Sequence, residues 1–420
     1  MSLRTKFCGK ELRAPFGSAA LAMSSPSAAS AQDYAGRLLK WIDYGAGIVS
    51  TLFVLNESLK DYPAEKEPTF LWGRCRREEH NFLYVQADMN NIVGRLEEGL
   101  EIIRIVKEKS PPDVLVQANI IAKSTNPDIW AEHAKLFEEA GADVIELDTS
   151  CSIWIAGDIC LLSDRPEELS AVIKGITKSV KIPVGIKMTP ETGFPRFIQV
   201  AKAVHDAGGK FVSCANAAIG VNPIDIYNGG RPDKGAYPMT KNQFVALIGA
   251  SRQMARKQVA GIKLNIPDLE VVGITGIVKP EDVIDYIMLG AQITEISSGL
   301  MFYGGKYIKK VKDFLEKFMA EQGYDSIESF RGLALKEFEV DSANIDYGFG
   351  QRVAVTDEVK CTGCGFCVES QCYASCLQDG IAVVDPDECT GCGLCVHICP
   401  QEARTMVMRD KPRRVGINLA

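Results

Sequence analysis

Nine of the fourteen cysteines in this chain lie between Cys361 and Cys399. Seven of them form two runs with C-x₂-C-x₂-C spacing, the second of which continues as C-x₃-C-P through Cys399 and Pro400. Three thiolates on one tight loop reach three corners of a cubane cluster, and in two-cluster ferredoxins the fourth cysteine of each run ligates the other cluster. The spacing therefore predicts a small α+β ferredoxin-like domain that holds two [4Fe-4S] clusters.

The first run is followed by two cysteines, Cys372 and Cys376, where one is expected. Cys376 precedes Ile381 by five residues, much as Cys399 precedes Ala403 by four, so we predict Cys376 as a ligand and Cys372 as a free or accessory thiol. Zinc also accepts C-x₂-C pairs, but three cysteines at consecutive C-x₂ steps, twice over, disfavour two zinc sites. The predicted ligands are Cys361, Cys364, Cys367, Cys376, Cys389, Cys392, Cys395 and Cys399.

Upstream of the cysteines, short Val- and Ile-rich runs alternate with amphipathic helical stretches over residues 48–302. The strand candidates are GIVSTLF, DVLVQANII, ADVIELDT, IPVGIKM, KFVSCAN, LEVVGIT and QITEISS, with a less regular one at NFLYVQAD. Runs of this length and composition are typical of strands buried on both faces. Several helical stretches end in glycine, the usual stop signal. About eight repeats favour a (β/α)₈ TIM barrel over an open doubly wound sheet, which stays possible.

The predicted domains are the barrel at 1–325, a connector at 326–354, the ferredoxin-like domain at 355–410 and a basic tail at 411–420. The 420 residues, 46% of them hydrophobic, carry a formal charge of −7, which is typical of a soluble globular protein. Uninterrupted apolar runs of about 18 residues and an apolar N-terminal segment are both absent, so we expect a cytoplasmic protein without a membrane span. The mild acidity argues against nucleic acid as a partner.

Five motifs in the barrel segment resemble those of class I dihydroorotate dehydrogenases. PFGSAA, IELDTSC, GIKMTP, VSCANA and GITGI occur in that family's order. With the C-terminal cysteine runs, the chain is most similar to the catalytic half of dihydropyrimidine dehydrogenases, over nearly its whole length. The resemblance implies FMN in the barrel, and clusters that accept electrons from an FAD- and NAD(P)H-dependent flavoprotein subunit or a ferredoxin. No complete nicotinamide-binding glycine fingerprint follows a strand, so such a partner is expected.

The resemblance also assigns flavin contacts to individual positions. Lys187, at a strand end, matches the lysine near flavin N1 and O2, where a cation stabilises reduced flavin. Barrels commonly bind phosphate on the loops after strands seven and eight, and there one glycine of the family's pair is replaced by Thr275. Asn126 precedes Pro127 and is also a good helix N-cap, and the two roles are compatible. The predicted FMN contacts are Gly17, Ser18, Ala19, Asn126, Lys187, Asn216, Thr275, Gly276, Ser298 and Gly299.

Cys151 matches the family's active-site cysteine, on the loop after the fourth strand. Reduction of a C=C bond conjugated to a carbonyl needs a hydride at one carbon and a proton at its neighbour. A thiol, with a pKa of about 8.5, can give or take that proton. The alternative is a buried small apolar residue, as most free cysteines are. Cys160 is a weaker candidate on the same loop.

The predicted substrate contacts depart from the family pattern. Asp148 replaces an asparagine, and an ionised carboxylate only accepts hydrogen bonds. Ser50-Thr51 replaces a pair that contains a lysine, and Ala217 replaces a hydroxyl residue. The predicted substrate contacts are Asn126, Asp148, Ser150, Asn216 and Ala217.

We therefore predict an oligomeric FMN- and iron–sulfur-dependent oxidoreductase, similar to dihydropyrimidine dehydrogenases. It would reduce or form a C=C bond conjugated to a carbonyl in a cyclic small molecule. The missing lysine and altered ring contacts leave a non-catalytic electron-transfer or scaffold subunit of a larger redox complex as an alternative. A dihydroorotate dehydrogenase is a further alternative, although the fused clusters argue against it.

Overall fold

The computed structural model describes residues 2–20, 30–51, 54–55, 70–71, 84–87, 96–122, 124–150, 153–155, 158–221, 224–227, 229–232, 244–338, 350–370 and 372–412. The chain divides into two compact units, Met1–Val340 and Asp341–Ala420. No helix in these described ranges is long and apolar enough to cross a membrane.

Eight parallel strands close into a barrel in the first unit. In chain order they are Phe16–Ser18, Ile48–Ser50, Leu115–Ile121, Val144–Asp148, Val184–Lys187, Phe211–Cys214, Glu270–Ile274 and Ile293–Ile296. The barrel closes because the second strand pairs with both the first and the third, while the eighth pairs with the first. A short strand, Val54–Leu55, extends the pairing along the third strand. The predicted (β/α)₈ fold is confirmed.

Helices follow the strands around the barrel. They are Ala31–Asp43, Leu96–Lys109, Pro127–Ala140, Pro166–Ser179, Arg196–Asp206, Ile248–Asn265, Glu281–Met288, Ser298–Tyr303 and Tyr307–Gln322. The first helix buries Tyr34, Leu38 and Ile42, whose four-residue spacing places them on one face. As the glycine stop signal predicts, Gly141 ends the third helix in the left-handed conformation with φ 103°. The helical pattern was therefore readable from the sequence.

One strand of the barrel differs from the prediction. The run NFLYVQAD does contain a strand, Tyr84–Ala87, but this strand pairs in a separate antiparallel sheet and not in the barrel. The remaining barrel strand is Phe16–Ser18, only three residues long. Its fully buried residues give no alternating pattern, and a run so short resembles a turn.

The amino-terminal end of the barrel is closed by a hairpin of Thr5–Phe7 and Lys10–Leu12. Phe7 and Leu12 are fully buried there against residues from six strands. Those residues are Ile48, Leu115, Val144, Phe211, Val272 and Ile293. This end is a packed apolar plug, so the opposite end is left for a functional site.

The segments after the second, fourth and sixth strands carry small sheets of their own. A four-stranded antiparallel sheet contains, in spatial order, Ala218–Val221, Phe244–Leu247, Tyr84–Ala87 and Phe70–Leu71. Two hairpins pair Ile153–Ile155 with Asp158–Cys160 and Ile224–Asp225 with Arg231–Pro232. Because these segments all leave the carboxyl ends of barrel strands, the elaboration is concentrated at that end, where (β/α)₈ enzymes place their sites.

Short 3₁₀ turns occur at Leu162–Asp164, Ile327–Ser329 and Leu335–Glu337. In the stretch predicted as a connector, Ile327 and Phe330 are fully buried in the core of the first unit. This part of the stretch therefore packs on the barrel.

The second unit is a small α+β domain, as predicted. Strand Arg352–Thr356 pairs antiparallel with Arg404–Met408, and Ser375–Gln378 pairs with Ile381–Val384. Two one-turn helices, Phe366–Glu369 and Leu394–His397, each contain the third cysteine of one run. The two halves of the domain thus repeat the same order of cysteine loop, short helix and strand.

Candidate functional site

Two buried ionisable residues end adjacent barrel strands. Asp148 is the last residue of the fourth strand and Lys187 the last residue of the fifth, and they are partners in the parallel register. Their exposed fractions are only 1% and 5%. Parallel strands all end at one mouth of the barrel, so these side chains stand at the catalytic end of the fold.

Two buried glutamates extend this group into the barrel interior. Glu146 accepts a hydrogen bond from Asn119 Nδ2, and Glu295 accepts one of 2.8 Å from Gln117 Nε2. Burial raises the pKa of both carboxyl groups. The charge of Glu146 raises the pKa of Glu295 further, and the Lys187 ammonium works against both shifts. Lys187 therefore compensates negative charge in the barrel interior.

The buried Glu295 carboxyl gives a testable pH dependence. Its pKa is raised well above the usual range, so the stability it contributes is fully present below its unfolded pKa and lost as pH rises through the folded pKa. The free energy of unfolding of the wild type should therefore fall by about 1.4 kcal/mol per pH unit over the titration range. We expect Glu295→Gln to remove this contribution to the slope. Urea unfolding measured from pH 5 to 9 checks the slope.

A glutamine in place of Glu295 would still accept the hydrogen bond from Gln117, so the substitution changes charge with little change in shape. The matched control is Glu132→Gln, on an exposed position of the third helix, which should leave the slope unchanged. Parallel pH profiles for wild type and Glu295→Gln would contradict the expectation.

The loop after the seventh strand is held by a buried ion pair. Thr275 and Gly276 have φ angles of 79° and 69°, and a Cβ at Gly276 would lie 2.5 Å from Arg252 Cβ. Arg252 donates to the Gly276 carbonyl at 3.3 Å and pairs with Asp282 at 3.2 Å. Only glycine fits both the left-handed backbone and the close approach at this position.

Asp282 organises the rest of this loop. It is fully buried and accepts hydrogen bonds of 3.0 Å from the backbone N–H groups of Val278 and Lys279. It also pairs with Arg256 at 3.0 Å. The buried Nε of Arg252 has no hydrogen-bond partner in the described part of the chain. A cationic group with an unused donor beside this loop fits an anionic ligand such as a phosphate.

The residues after the eighth strand are equally confined. Ser298 is 4% exposed, and a Cβ on Gly299 would overlap the ring of Tyr307 and approach the Ile277 carbonyl to 2.9 Å. The predicted phosphate residues of the seventh and eighth strands therefore lie on adjacent, tightly packed loops.

The predicted small residues of the first strand have a packing role. The family resemblance predicts a turn after the first strand for Gly17 and Ser18, but both lie in the strand itself. A Cβ on Gly17 would overlap the Ile48 carbonyl, and Ser18 Oγ accepts a hydrogen bond of 3.4 Å from Ser50 N–H. Ala19 follows, buried, and its N–H donates to the Ile296 carbonyl at 3.2 Å. Close packing of adjacent strands already requires these small side chains.

The two predicted amides differ in their surroundings. Asn126 is exposed and caps the third helix, because its Oδ1 accepts the Asp128 N–H at 3.0 Å. Asn216 is half-buried after the sixth strand, and its Oδ1 accepts the Ala217 N–H at 3.0 Å. The structure therefore does not place Asn126 among the buried polar residues, whereas Asn216 and Ala217 follow a strand end.

Asp148 is bound by its own loop. Its Oδ1 accepts hydrogen bonds from Ser150 Oγ at 2.7 Å and from the Ser150 N–H at 3.1 Å. Cys151 lies outside the described residues, and of Cys160 only the backbone is described, paired with Ile153 in a hairpin. The predicted proton donor thus follows directly on the turn that Asp148 and Ser150 form.

Four of the predicted cluster ligands line one cavity of the second unit. They are Cys361, Cys364, Cys367 and Cys399. The Ala382 N–H donates to Cys361 Sγ at 3.4 Å, and the Ala403 N–H donates to Cys399 Sγ at 3.3 Å. This set combines one complete cysteine run with the last cysteine of the other run, as two-cluster ferredoxins do.

Arg404 lines the same cavity and is 2% exposed. It donates to Ser375 Oγ at 2.9 Å and to the Ala382 carbonyl at 3.3 Å, while its Nε has no partner among the described residues. Burial raises the pKa of thiols in both cysteine runs, Cys367 and Cys395 among them, and the positive charge of Arg404 works against that rise. A buried cation among thiols fits an anionic cluster.

Three of the remaining cysteines lie in or against a small core that also contains Cys367. Cys389 and Cys395 are buried in a small core, and Cys372 packs against it, whereas Cys376 is exposed. No group of three or more His, Cys, Asp or Glu in the described ranges converges on a single metal ion. Cys376 as a ligand stays a prediction, and the geometry introduces Cys372 as its competitor.

Each of the two units of this chain matches a model of a known protein family. The family model described as dihydroorotate dehydrogenase matches residues 79–319. This chain belongs to the dihydroorotate dehydrogenase family. The model described as a 4Fe-4S binding domain matches residues 382–405, which include the second cysteine run. Membership confirms the predicted fold, an FMN-binding oxidoreductase family and a 4Fe-4S domain.

Individual relatives agree with the family. The NAD-dependent dihydropyrimidine dehydrogenase subunit PreA of Escherichia coli K12 is 29% identical, over 68% of this chain and 67% of that protein. The catalytic subunit of dihydroorotate dehydrogenase B (NAD(+)) from Methanocaldococcus jannaschii is 30% identical, over 79% of this chain and 98% of that protein. The corresponding subunit from Methanothermobacter thermautotrophicus is 26% identical over the same shares. By name, all three relatives are subunits.

The sequence reasoning missed several residues that shape the site of this dihydroorotate dehydrogenase family member. Glu146 and Glu295 were interpreted only as parts of buried strands and Asp282 only as part of a helix, and Arg252 was not singled out. A charged residue inside a run of apolar strand residues was the available signal for the glutamates, because such groups are rarely buried without a partner. No local signal pairs Arg252 with Asp282, which lie 30 residues apart.

Proposed function

We propose that this chain is the catalytic subunit of an FMN- and iron–sulfur-dependent oxidoreductase. Its substrate is a cyclic small molecule with a C=C bond conjugated to a carbonyl, most similar to a pyrimidine or its dihydro form. The observation that carries the proposal is Lys187, a buried cation at the carboxyl end of the barrel, compensated by Glu146 and Glu295. A desolvated lysine held there suits a cofactor that gains negative charge on reduction.

Different groups of barrel residues would bind the cofactor, position the substrate and supply the proton. Bound FMN would supply the hydride. Lys187 would hold the side of the isoalloxazine that gains negative charge, and the loops at Thr275–Gly276 and Ser298–Gly299 would hold the phosphate. The small side chains of Gly17, Ser18 and Ala19 would let the first strand pack closely against its neighbours. Asn216 would orient the ring of the cofactor or substrate. The Asp148–Ser150 turn would position the loop that carries Cys151. Cys151 would hold and deliver the proton to the carbon adjacent to the hydride acceptor.

The cysteines of the second unit would hold two [4Fe-4S] clusters. One is ligated by the cavity set of Cys361, Cys364, Cys367 and Cys399, and the other by Cys389, Cys392, Cys395 and one further cysteine. Electrons come from a partner, a flavoprotein subunit that oxidises NAD(P)H or a ferredoxin. The names of the relatives, which denote subunits of NAD-dependent enzymes, support a partner of the first kind.

Arg404 should raise the reduction potential of both clusters, because a nearby positive charge favours the more negative reduced state. Arg404→Gln is expected to shift both midpoints by tens of millivolts to lower potential, and Arg404→Lys by less. EPR-monitored redox titration checks the shift. A shift of equal size in both variants would show that the charge of Arg404 does not set the potentials.

The proposed function is tested by anaerobic purification with metal, sulfide and flavin analysis, followed by a substrate challenge. The expected result is eight irons and one FMN per chain, with the reduced flavin reoxidised by uracil or thymine. Reoxidation by orotate alone would replace the pyrimidine substrate by the dihydroorotate pair. Reoxidation by none of the three would reject these substrates, and an iron–sulfur protein without flavin would reject the barrel as an enzyme.

Cys151 is tested in the same assay. Cys151→Ala should slow flavin reoxidation by substrate about 10²–10⁴-fold, the usual contribution of a positioned general acid. FMN content and cluster spectra should stay unchanged. Cys160→Ala is the matched variant on the same loop and should retain most of the rate.

A further inference from the structure

We propose that Cys372, and not Cys376, completes the second cluster with Cys389, Cys392 and Cys395. Cys376 is then a free thiol at the surface of the domain. The inference rests on the proposed two-cluster function and reverses the assignment of Cys376 and Cys372 that the sequence predicts.

The strand that carries Cys376 turns this residue away from the cysteine core. Successive side chains of a strand point to opposite faces. Ser375 is buried and its Oγ accepts a hydrogen bond of 2.9 Å from Arg404, so Ser375 faces the interior and Cys376 faces out. The opposite strand agrees, because Val384, the partner of Ser375, packs against the core, whereas Val383, the partner of Cys376, is not among the residues that do.

Cys372 has the surroundings expected of a ligand. It is half-buried and packs against the core that contains Cys389 and Cys395. A fourth ligand must lie near the other three, and Cys372 packs against the core that holds two of them.

The internal repeat of the domain gives an independent argument. Cys399, the last cysteine of the second run, is half-buried and lies between the helix Leu394–His397 and the strand Arg404–Met408. Cys372 is half-buried and lies between the helix Phe366–Glu369 and the strand Ser375–Gln378. Cys376 lies inside that strand, at a place where the other half has no cysteine.

Exposure by itself does not decide the question. Cys364 and Cys392 are also exposed, but each is the middle cysteine of a run, whose other two cysteines are buried or half-buried. Cys376 belongs to no such loop. Gln378 Nε2 lies 3.8 Å from its Sγ, on the exposed part of the hairpin.

The test compares Cys372→Ser with Cys376→Ser, purified anaerobically as the full chain. Iron and sulfide are counted, and the dithionite-reduced clusters are recorded by EPR. We expect Cys376→Ser to keep the wild-type iron content and both cluster signals. Cys372→Ser should lose the signal of one cluster and about half of the iron, or at least one iron of that cluster.

A second measurement does not depend on how the variants fold. The native wild-type protein is alkylated anaerobically with iodoacetamide and digested, and the modified cysteines are identified by mass spectrometry. We expect rapid modification of Cys376 and protection of Cys372. Full iron in Cys372→Ser, loss of iron in Cys376→Ser, or protection of Cys376 with modification of Cys372 would each overturn the assignment. Fewer than two clusters in the wild type would instead overturn the proposed function.

Discussion

Lys187→Met is expected to lower the rate of flavin-dependent turnover about 10²–10³-fold, the usual effect of removing one preorganised charge or donor from a site. The residue is 5% exposed, so water cannot replace its charge. Loss of the ammonium also leaves Glu146 and Glu295 without their compensating cation. The flavin midpoint potential should fall, because reduced flavin then gains its negative charge beside two carboxyl groups.

Stopped-flow reduction and potentiometric titration of the bound flavin measure the two effects separately. Lys187→Arg keeps the charge and should retain most of the potential, although its larger head group will cost some rate. A Lys187→Met protein with a wild-type flavin potential would show that this lysine does not contact the flavin. FMN content measured in each variant separates a lost cofactor from a slowed reaction.

Asp282→Asn is expected to destabilise the barrel by about 3–5 kcal/mol, the usual result of removing one partner of a buried ion pair. Asp282 is fully buried, pairs with Arg252 and Arg256, and accepts two backbone N–H groups. The substitution leaves a buried guanidinium without its counter-charge. Urea unfolding followed by circular dichroism measures the loss, and a weaker affinity for FMN should accompany it.

Asp285→Asn is the matched control for this variant. Asp285 pairs with Arg256 as well, but its side chain is 47% exposed. Exposed ion pairs contribute about 0–1 kcal/mol, so this control should unfold close to wild type. Equal losses in the two variants would show that burial of Asp282 does not determine its contribution.

The fold was predictable because its signals are local. A strand buried on both faces needs several apolar residues in sequence, and a helix needs an apolar face at 3.6-residue spacing, so both patterns are visible in the chain. The exception was Phe16–Ser18, which pairs with two neighbours over only three residues. Conversely, Tyr84–Ala87 is a strand by its composition, but pairing alone decides that it lies outside the barrel.

The candidate site was predictable where a residue lies next to a motif. Lys187, Thr275, Gly276, Ser298 and Gly299 all lie at or just after strand ends, as the motif order requires. Asn126 had two compatible predicted roles, and the structure shows the helix-capping role that its neighbour Pro127 suggested. Glu295 and Asp282 could not be found in this way, because their partners lie on other strands and helices.

The sequence by itself determined the two kinds of domain, the family and the cysteine runs. Each of these depends on spacing between residues that are close along the chain, and spacing is preserved on folding. Tertiary structure alone decided which groups share the barrel interior, that Asp282 pairs with Arg252, and that Cys372 faces the cysteine core while Cys376 does not. These depend on pairing between distant segments and on the face of a strand from which a side chain projects. A one-residue change of register moves each strand side chain to the opposite face.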